Sequence, residues 1–303
     1  MSQGAAASIR SRLKSRSEEL GLDLQTAIQY YAIERFLYRL SRSRWADRFV
    51  VKGATMLRVW DGAIARPTRD VDLLGRVPNS PDGIRAIIAE CLAIESDDGI
   101  VFSEAIEATA ITFEDRYPGV RVKGSGSLAG ARFVLWLDIG IDDATVPEPG
   151  WVDFPTLLDV PAPRILAYQP ETAIAEKVET VVSKGTANSR LKDYYDVWML
   201  SRAKEFDGRA LRAAFAATFE RRGTRVPTGT PDGLGPQFTE DPASRRGWQT
   251  FRSKLVSAGI EGPEDLGELV AEIAAFVMPP LAAVAEGEEF NQVWTEELGW
   301  RAE

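Results

Sequence analysis

The sequence of 303 residues contains no histidine. This absence excludes Ser–His–Asp hydrolysis, Cys–His proteolysis and every metal site within the chain that depends on imidazole ligands. Catalysis by this chain must therefore use carboxylates, lysine, arginine or hydroxyl groups, alone or with a hard cation that prefers oxygen ligands.

Cysteine and long apolar runs are also scarce. A single cysteine, Cys91, excludes an intrachain disulfide framework and a cysteine-rich zinc site. It lies in the apolar helical pattern IRAIIAECLAI, which predicts a small buried hydrophobe rather than a nucleophile. The sequence contains no run of about 18 apolar residues, the length needed to span a bilayer. The N-terminal segment also lacks the apolar core typical of a secretory signal. The expected location is the cytoplasm.

Positive charge is in deficit overall but unevenly distributed. The net charge of −9 argues against a nucleic-acid partner, because phosphates repel an acidic surface. Residues 1–48, however, carry nine basic groups against five acidic ones, a local charge of +4. A basic surface on an acidic protein is one interpretation, and solvated helix faces are the other. A second basic cluster consists of Arg209, Arg212, Arg221, Arg222 and Arg225.

The hydrophobic pattern predicts an α+β (mixed α/β) protein with a mixed unit over residues 1–165 and a largely helical domain over residues 166–303. The segment 223–246 is rich in glycine and proline and is predicted to be an irregular loop. Predicted helices cover 24–41, 54–62, 82–95, 171–184, 189–203, 209–222 and 264–285, and predicted strands lie within 47–53, 68–75, 101–113, 119–141 and 151–158.

Two aspartates share one face of the predicted strand TRDVDLLG. Because side chains alternate along a strand, Asp70 and Asp72 point to the same side, about 6–7 Å apart. Such a pair can hold Mg²⁺, which takes one or two carboxylates and completes its shell with water and phosphate. The preceding segment K-G-A-T places Gly53 before a helix, where backbone can approach a phosphate, and Arg66 and Arg69 flank the pair. The alternative is two solvent-facing aspartates beside a turn.

A third carboxylate interrupts the most apolar strand, ARFVLWLDIGI. Burying a carboxylate is costly unless it is paired or bound to a cation. Asp138 could therefore be a third metal ligand that also helps to deprotonate an attacking hydroxyl. Alternatively, it is a strand-end aspartate bonded to nearby backbone. Asp142 and Asp143 are rivals for the same role.

Two helical segments carry further candidates. Lys177 lies at the border of the apolar stripe of ETAIAEKVETVVSK, where it could reach a triphosphate or merely cover apolar surface. Asp193 and Asp196 are three apart and share a helix face. They could orient Lys177 or hold a nucleotide's sugar and metal-bound waters, or Asp193 could simply stabilise the helix start.

Together these segments resemble the AbiEii-type toxins, also called MenT-type or type IV toxin nucleotidyltransferases. The resemblance covers most of the chain and depends on several motifs in the same order. The segments are IERFLYRLSRSRWADRFVVKGATML, RPTRDVDLLG, VLWLDIGI, ILAYQPETAIAEKVETVVSKGTANSRLKDYYDVWML, FERRGTRVP and GWQTFRSK.

The resemblance implies a DNA-polymerase-β-like nucleotidyltransferase fold, with a mixed sheet flanked by helices, followed by a helical domain. It makes Asp70 and Asp72 the metal-binding pair, Lys177 the lysine that contacts the triphosphate, and Asp193 a further active-site aspartate. Lys52 and Asp196 also match family positions.

The resemblance further implies the cofactor, the substrates and the partners. Members use Mg²⁺ and an NTP, and some add nucleotides to the 3′ end of tRNA, which blocks translation. A neighbouring gene encodes the antitoxin, usually a winged-helix protein.

One position departs from the wider superfamily. Gly53-Ala54 replaces the usual Gly-Ser, so Ala54 cannot supply a hydroxyl to the nucleotide phosphates. Thr55 or backbone amides are the expected substitutes, and Thr55 is also a candidate for inhibitory phosphorylation, because added negative charge would repel the triphosphate.

The function expected from the sequence is Mg²⁺-dependent transfer of NMP from an NTP to an RNA acceptor, with the tRNA 3′ end favoured. Alternatives are nucleotidylation of a small molecule or protein, and a non-catalytic NTP-binding interaction protein.

Overall fold

The computed structural model describes residues 3–60, 68–113, 117–141 and 143–302. The chain forms two compact units, one of residues 1–142 with 150–167 and the other of residues 143–149 with 168–303. We predict a single domain boundary at residue 165. In the structure, the segment 143–149 belongs to the second unit as well. Arg66, Asp142 and the predicted helix end at Gly62 lie outside the described residues.

The first unit alternates helices and strands along the chain. The helix predicted over 24–41 is confirmed, whereas the helix predicted over 54–62 begins as the short 3₁₀ helix Gly53–Met56. The elements are α1 (Gln3–Glu19), α2 (Leu24–Arg42), β1 (Phe49–Lys52), α3 (Leu57–Trp60), β2 (Asp70–Gly75), α4 (Pro81–Leu92), β3 (Ile100–Phe102), β4 (Glu107–Phe113), β5 (Tyr117–Leu128), β6 (Ala131–Ile141), β7 (Gly150–Asp153) and β8 (Arg164–Ala167).

Within the described residues, all eight of these strands form one mixed sheet. Its order is β3-β5-β6-β2-β1-β8-β7, with β4 paired to β5 beside β3. The pairs β2–β6 and β1–β8 are parallel, and the other pairs are antiparallel. The predicted α+β class with a mixed sheet is confirmed.

One face of the sheet builds the core of this unit. Val71, Leu73 and Leu137 are fully buried together with apolar residues of α2 and α4. Because strand side chains alternate, their neighbours Asp70 and Asp72 project from the opposite face. Cys91 is buried in the same core, and burial raises the pKa of its thiol to about 11. The prediction that it is a buried hydrophobe is confirmed.

The second unit is largely helical, and a small sheet of β11, β10 and β9 accompanies its helices. The four helices predicted after residue 170 are confirmed. The elements are α5 (Pro170–Lys184), α6 (Leu191–Ala203), β9 (Phe206–Asp207), α7 (Gly208–Arg222), α8 (Pro236–Thr239), α9 (Pro242–Ser257), α10 (Leu266–Glu286), β10 (Gln292–Thr295) and β11 (Gly299–Ala302).

The irregular loop predicted over 223–246 is wrong at its C-terminal end, where α8 and the start of α9 are helical. Asp241 is the N-cap of α9 and accepts a hydrogen bond from Ser244 N at 2.8 Å, and Pro242 occupies the first helical turn. An aspartate followed by proline is a helix-start signal that the glycine and proline content of the segment obscures.

Among the described residues, α10 is the one helix long and apolar enough to cross a membrane by length and composition. In the second unit, however, it packs as a core helix. Phe276 is fully buried and contacts the rings of Phe206, Trp294 and Trp300.

Candidate active site

The turn after β1 depends on a glycine that lies against Asp72. Gly53 has a φ of +69°, in the left-handed region that residues with a Cβ rarely adopt. A Cβ at this position would lie 2.7 Å from Asp72 Cγ and closer still to Oδ2. Only glycine therefore allows the turn backbone and the Asp72 carboxylate to approach each other this closely.

The carboxylate pair lies where the sequence pattern predicts it. Asp70 is exposed and Asp72 is half-buried, at the start of β2. Across the sheet, Asp72 is in register with Lys52 of β1 on one side and with Asp138 of β6 on the other. The structure thus brings Lys52, Gly53 and three carboxylates to one region of one sheet face.

Two threonines donate hydrogen bonds to the backbone carbonyl of Asp70. The Thr55 hydroxyl donates to the Asp70 carbonyl at 3.3 Å, and the Thr68 hydroxyl donates to the same oxygen at 3.2 Å. Thr55 is only 1% exposed, so a kinase could reach it only if this contact opened. Arg69 lies exposed directly before β2.

Asp138 is held by an arginine that sequence reasoning missed. Arg121 of β5 donates from Nε and Nη2 to the two carboxylate oxygens, each at 2.7 Å. Hydrogen bonding to Asp138, with added attraction from Asp70 and Asp72, raises the pKa of Arg121 above its ordinary value. The observed partner of the Asp138 carboxylate is therefore the Arg121 side chain and not the strand backbone.

The carboxylate pair fits a divalent cation, although it is not a complete cage. Among the residues that the structure describes, no group of three or more acidic or cysteine side chains is arranged to hold a metal ion. Two same-face carboxylates are nevertheless the donor set that Mg²⁺ uses when substrate phosphates supply further oxygens. Of the rivals to Asp138, Asp143 pairs with Arg222 in the second unit at 3.0 Å.

Within the second unit, a lysine and two aspartates form a buried charge cluster. Lys177 Nζ of α5 contacts Asp193 Oδ1 at 3.0 Å and Asp196 Oδ2 at 2.7 Å, both on α6. Arg190 adds a bond from Nε to Asp193 Oδ2 at 2.6 Å. The structure thus shows both aspartates in contact with Lys177, as the suggestion that they orient this lysine requires.

The electrostatics of this cluster keep Asp193 ionised. Burial would raise the pKa of its carboxyl group, but the charges of Lys177 and Arg190 outweigh burial and lower that pKa to about 2, from an ordinary value of 3.8. The Lys177 side chain is 12% exposed, whereas the aspartates are almost fully buried. The aspartates therefore hold the ammonium group of a side chain that retains a small exposed fraction.

Several cations of the two predicted basic regions are structural. Arg35 and Arg39 of α2 are 1% and 3% exposed, and Arg39 forms a buried ion pair with Asp98. In the second unit, Arg222 pairs with Glu179 at 2.9 Å and with Asp143. The formal charge of these sequence segments therefore overstates the basic surface that they present.

The residues that sequence reasoning missed lie mainly on β5 and β6. The alternating segment V-R-V-K-G of β5 indicates that Arg121 and Lys123 share a face. The register that sets them opposite Asp138 and Trp136 is a long-range pairing that no local pattern specifies.

The family model for the AbiEii nucleotidyl transferase toxin of type IV toxin–antitoxin systems matches residues 35–275. The chain belongs to this family. The matched region of this AbiEii protein includes the Gly53 turn, the Asp70–Asp72 pair, Asp138 and the Lys177 cluster. Membership of a toxin–antitoxin family also implies a cognate antitoxin.

Two solved structures from Helicobacter pylori are similar to this AbiEii protein. JHP933 shares 15% identity, with 88% of this chain and 95% of that chain covered and a TM-score of 0.49. A "putative nucleotidyltransferase" shares 15% identity, with 89% and 100% covered and a TM-score of 0.47. Comparison with curated proteins gives no match.

Proposed function

We propose that this AbiEii protein is a toxin that transfers NMP from an NTP to an RNA acceptor, with the 3′ end of tRNA as the favoured acceptor, and thereby blocks translation. The observation that carries the proposal is the close approach of the Gly53 turn to the same-face carboxylates Asp70 and Asp72. Phosphoryl transfer requires a turn whose backbone can approach a phosphate and, beside it, carboxylates that can hold a cation.

The chain's own residues have distinct roles in this mechanism. Mg²⁺ held by Asp70 and Asp72 would neutralise triphosphate charge when bound. The backbone at Gly53 and Thr55 approaches the phosphates without the hydroxyl that Ala54 lacks, and Lys52 and Arg69 add positive charge. The acceptor's 3′ oxygen bonds to the α-phosphorus as the bond to pyrophosphate breaks, so catalysis consists mainly of positioning and electrostatic stabilisation.

Asp138 and Lys177 have further roles in this proposal. Asp138 would add a carboxylate ligand to the cation, and it would accept the proton of the acceptor hydroxyl once its own hydrogen bonds to Arg121 are released. Lys177 neutralises part of the triphosphate charge, and its partners Asp193 and Asp196 position it. We further propose a cytoplasmic location and a winged-helix antitoxin.

The test is an incubation of the full chain with α-labelled NTPs, Mg²⁺ and total cell RNA, beside an Asp72→Ala variant. We expect label in RNA of tRNA size that disappears with the variant. Analysis of the products by RNA gel, protein gel and thin-layer chromatography separates RNA, protein and small-molecule acceptors in one experiment.

Each other result supports a different function. Label in a protein or small molecule would replace the RNA acceptor while keeping the transferase chemistry. NTP binding without transfer to any acceptor would indicate a non-catalytic nucleotide-binding protein.

A further inference from the structure

The polar face of the sheet in the first unit continues beyond the carboxylates as two rows of residues in register. The row through Asp72 runs on to Asp138 of β6 and Arg121 of β5. The row through Asp70 runs on to Trp136 of β6 and Lys123 of β5. Registered neighbours project from the same face of a sheet, so an aromatic ring and two cations lie directly beside the carboxylate pair.

The ring and the cations form a compact, accessible group. Trp136 is half-buried, with Arg121 Cζ 6.0 Å and Lys123 Nζ 5.8 Å from its ring centroid. The side chains of Arg121 and Lys123 are 47% and 40% exposed. Lys123 pairs with Glu107 at 3.2 Å, an exposed ion pair of the kind that contributes little and exchanges readily for a phosphate.

Arg121 also has donor capacity beyond Asp138. Its hydrogen bonds to Asp138 use Nε and Nη2, and no hydrogen bond from Nη1 occurs among the described residues. The guanidinium plane can therefore hold Asp138 and still donate to a phosphate or stack on a base.

The position of Trp136, Arg121 and Lys123 in the sheet indicates whether they contact the NTP or the acceptor. The Gly53 turn follows β1 on one side of β2, whereas Trp136, Arg121 and Lys123 lie on β6 and β5 on the other side. In an in-line phosphoryl transfer, the attacking oxygen and the leaving pyrophosphate lie on opposite sides of the α-phosphorus. With the phosphates at the Gly53 turn, the acceptor approaches from the side of β6 and β5.

We infer that Trp136, Arg121 and Lys123 form the binding surface for the single-stranded 3′ end of the RNA acceptor. This inference rests on the proposed function. Trp136 stacks on a base near the acceptor's 3′ end, and Arg121 and Lys123 bind the adjoining phosphates. An aromatic ring flanked by cations is the combination that binds single-stranded nucleic acids, since every base can stack and every backbone is anionic.

The experiment measures binding of a fluorescently labelled single-stranded RNA oligonucleotide to the full chain by anisotropy, without NTP. Trp136→Ala should weaken RNA binding about tenfold or more, because one stacked base is lost. Trp136→Phe should stay within about threefold of the wild type. Lys123→Ala should reduce the slope of log affinity against log salt by about 0.7, the value for one phosphate contact on a single strand.

Matched controls lie on β7 and β8, at the other end of the strand order of the same sheet. Trp151 of β7 is another partly exposed tryptophan, and Arg164 of β8 is another cation in an exposed ion pair. Trp151→Ala and Arg164→Ala should leave both RNA affinity and its salt dependence unchanged. Binding of an NTP, measured separately by calorimetry, should be unchanged in Trp136→Ala, which also shows that the variant is folded.

Three outcomes would overturn the inference, and they are distinguishable. Loss of NTP binding in Trp136→Ala with unchanged RNA binding would place the incoming nucleotide's base, not the acceptor, on the ring. Wild-type RNA affinity in both Trp136→Ala and Lys123→Ala, together with labelled transfer to RNA, would refute this surface but keep the proposed function. A wild-type chain that neither binds nor labels RNA would refute both.

Discussion

At the scale of single residues, Gly53 is the position on which the candidate site depends most. Its positive φ and its approach to Asp72 are two separate demands that only glycine meets. Gly130, in the turn between β5 and β6, has a φ of +81°, but a Cβ there would meet no atom of the described residues within 4 Å. A comparison of substitutions at the two glycines therefore distinguishes the effect of backbone strain from the effect of contact with the carboxylate.

We predict that Gly53→Ala lowers affinity for Mn²⁺, a paramagnetic substitute for Mg²⁺, about tenfold or more, because the added methyl group displaces the Asp72 carboxylate. Gly130→Ala should cost about 1–2 kcal/mol of unfolding free energy through strain alone and leave Mn²⁺ affinity within about twofold. Electron paramagnetic resonance of free Mn²⁺ gives both affinities. Equal affinities for the two variants would refute the role of Gly53.

A second residue-scale prediction concerns Asp193. Removal of one partner from its buried ion pairs should cost about 3 kcal/mol at pH 7, so Asp193→Asn should destabilise the chain by that amount. The folded-state pKa of about 2 lies below the ordinary 3.8, so the contribution is complete well above pH 3.8 and is lost as the pH falls through 3.8 towards 2.

Urea unfolding across this pH range measures the difference. The stability gap between the wild type and Asp193→Asn should be constant from pH 7 to about 4.5 and then narrow. The exposed Asp153→Asn should show almost no gap at any pH. A gap that widens on acidification would contradict the assigned direction of the shift.

At the scale of elements, Arg222 at the end of α7 ties together parts of the second unit that are distant in sequence. Its guanidinium contacts Glu176 and Glu179 of α5 and Asp143 of the segment 143–149. A planar fork can serve these carboxylates together, whereas a lysine is a single point charge. The segment 143–149 therefore lies with the second unit despite its position between two strands of the first.

We predict that Arg222→Lys lowers the free energy of unfolding by about 2–3 kcal/mol, since at least one of these carboxylates loses its ion-pair contact. The neighbouring Arg221, which is exposed, provides the matched control Arg221→Lys, with an expected change within about 0.5 kcal/mol. Chemical unfolding measures the free energy of unfolding of both variants. Equal stability would mean that the fork geometry of Arg222 contributes nothing.

Elements also show how far the sequence predicts the structure. The alternation of T-R-D-V-D-L predicts the face of Asp70 and Asp72, because that pattern is local. The partner of Asp138 is not predictable in this way, since Arg121 reaches it through a register set by the pairing of β5 with β6. For the same reason, the sequence suggests surface charge at Arg35, Arg39 and Arg222, and only the fold reveals that these side chains are almost entirely buried.

At the scale of the whole molecule, the acidic balance and an RNA acceptor are compatible once the cations are sorted by location. The net charge of −9 disfavours nucleic acid over most of the surface. Cations placed beside the carboxylate pair act locally, where the proposed RNA acceptor would bind, and repulsion elsewhere would oppose unproductive binding. The distribution of charge across the sheet is therefore more informative than its sum.

The most direct test of the central claim is the single-turnover rate of α-labelled NMP transfer to purified tRNA. Asp70→Asn and Asp72→Asn should each lower this rate at least about a hundredfold, because the isosteric amide removes the charge that would hold the proposed cation. Asp153→Asn, an exposed aspartate in the same unit, should transfer at the wild-type rate. Wild-type rates in both Asp70→Asn and Asp72→Asn would contradict the account.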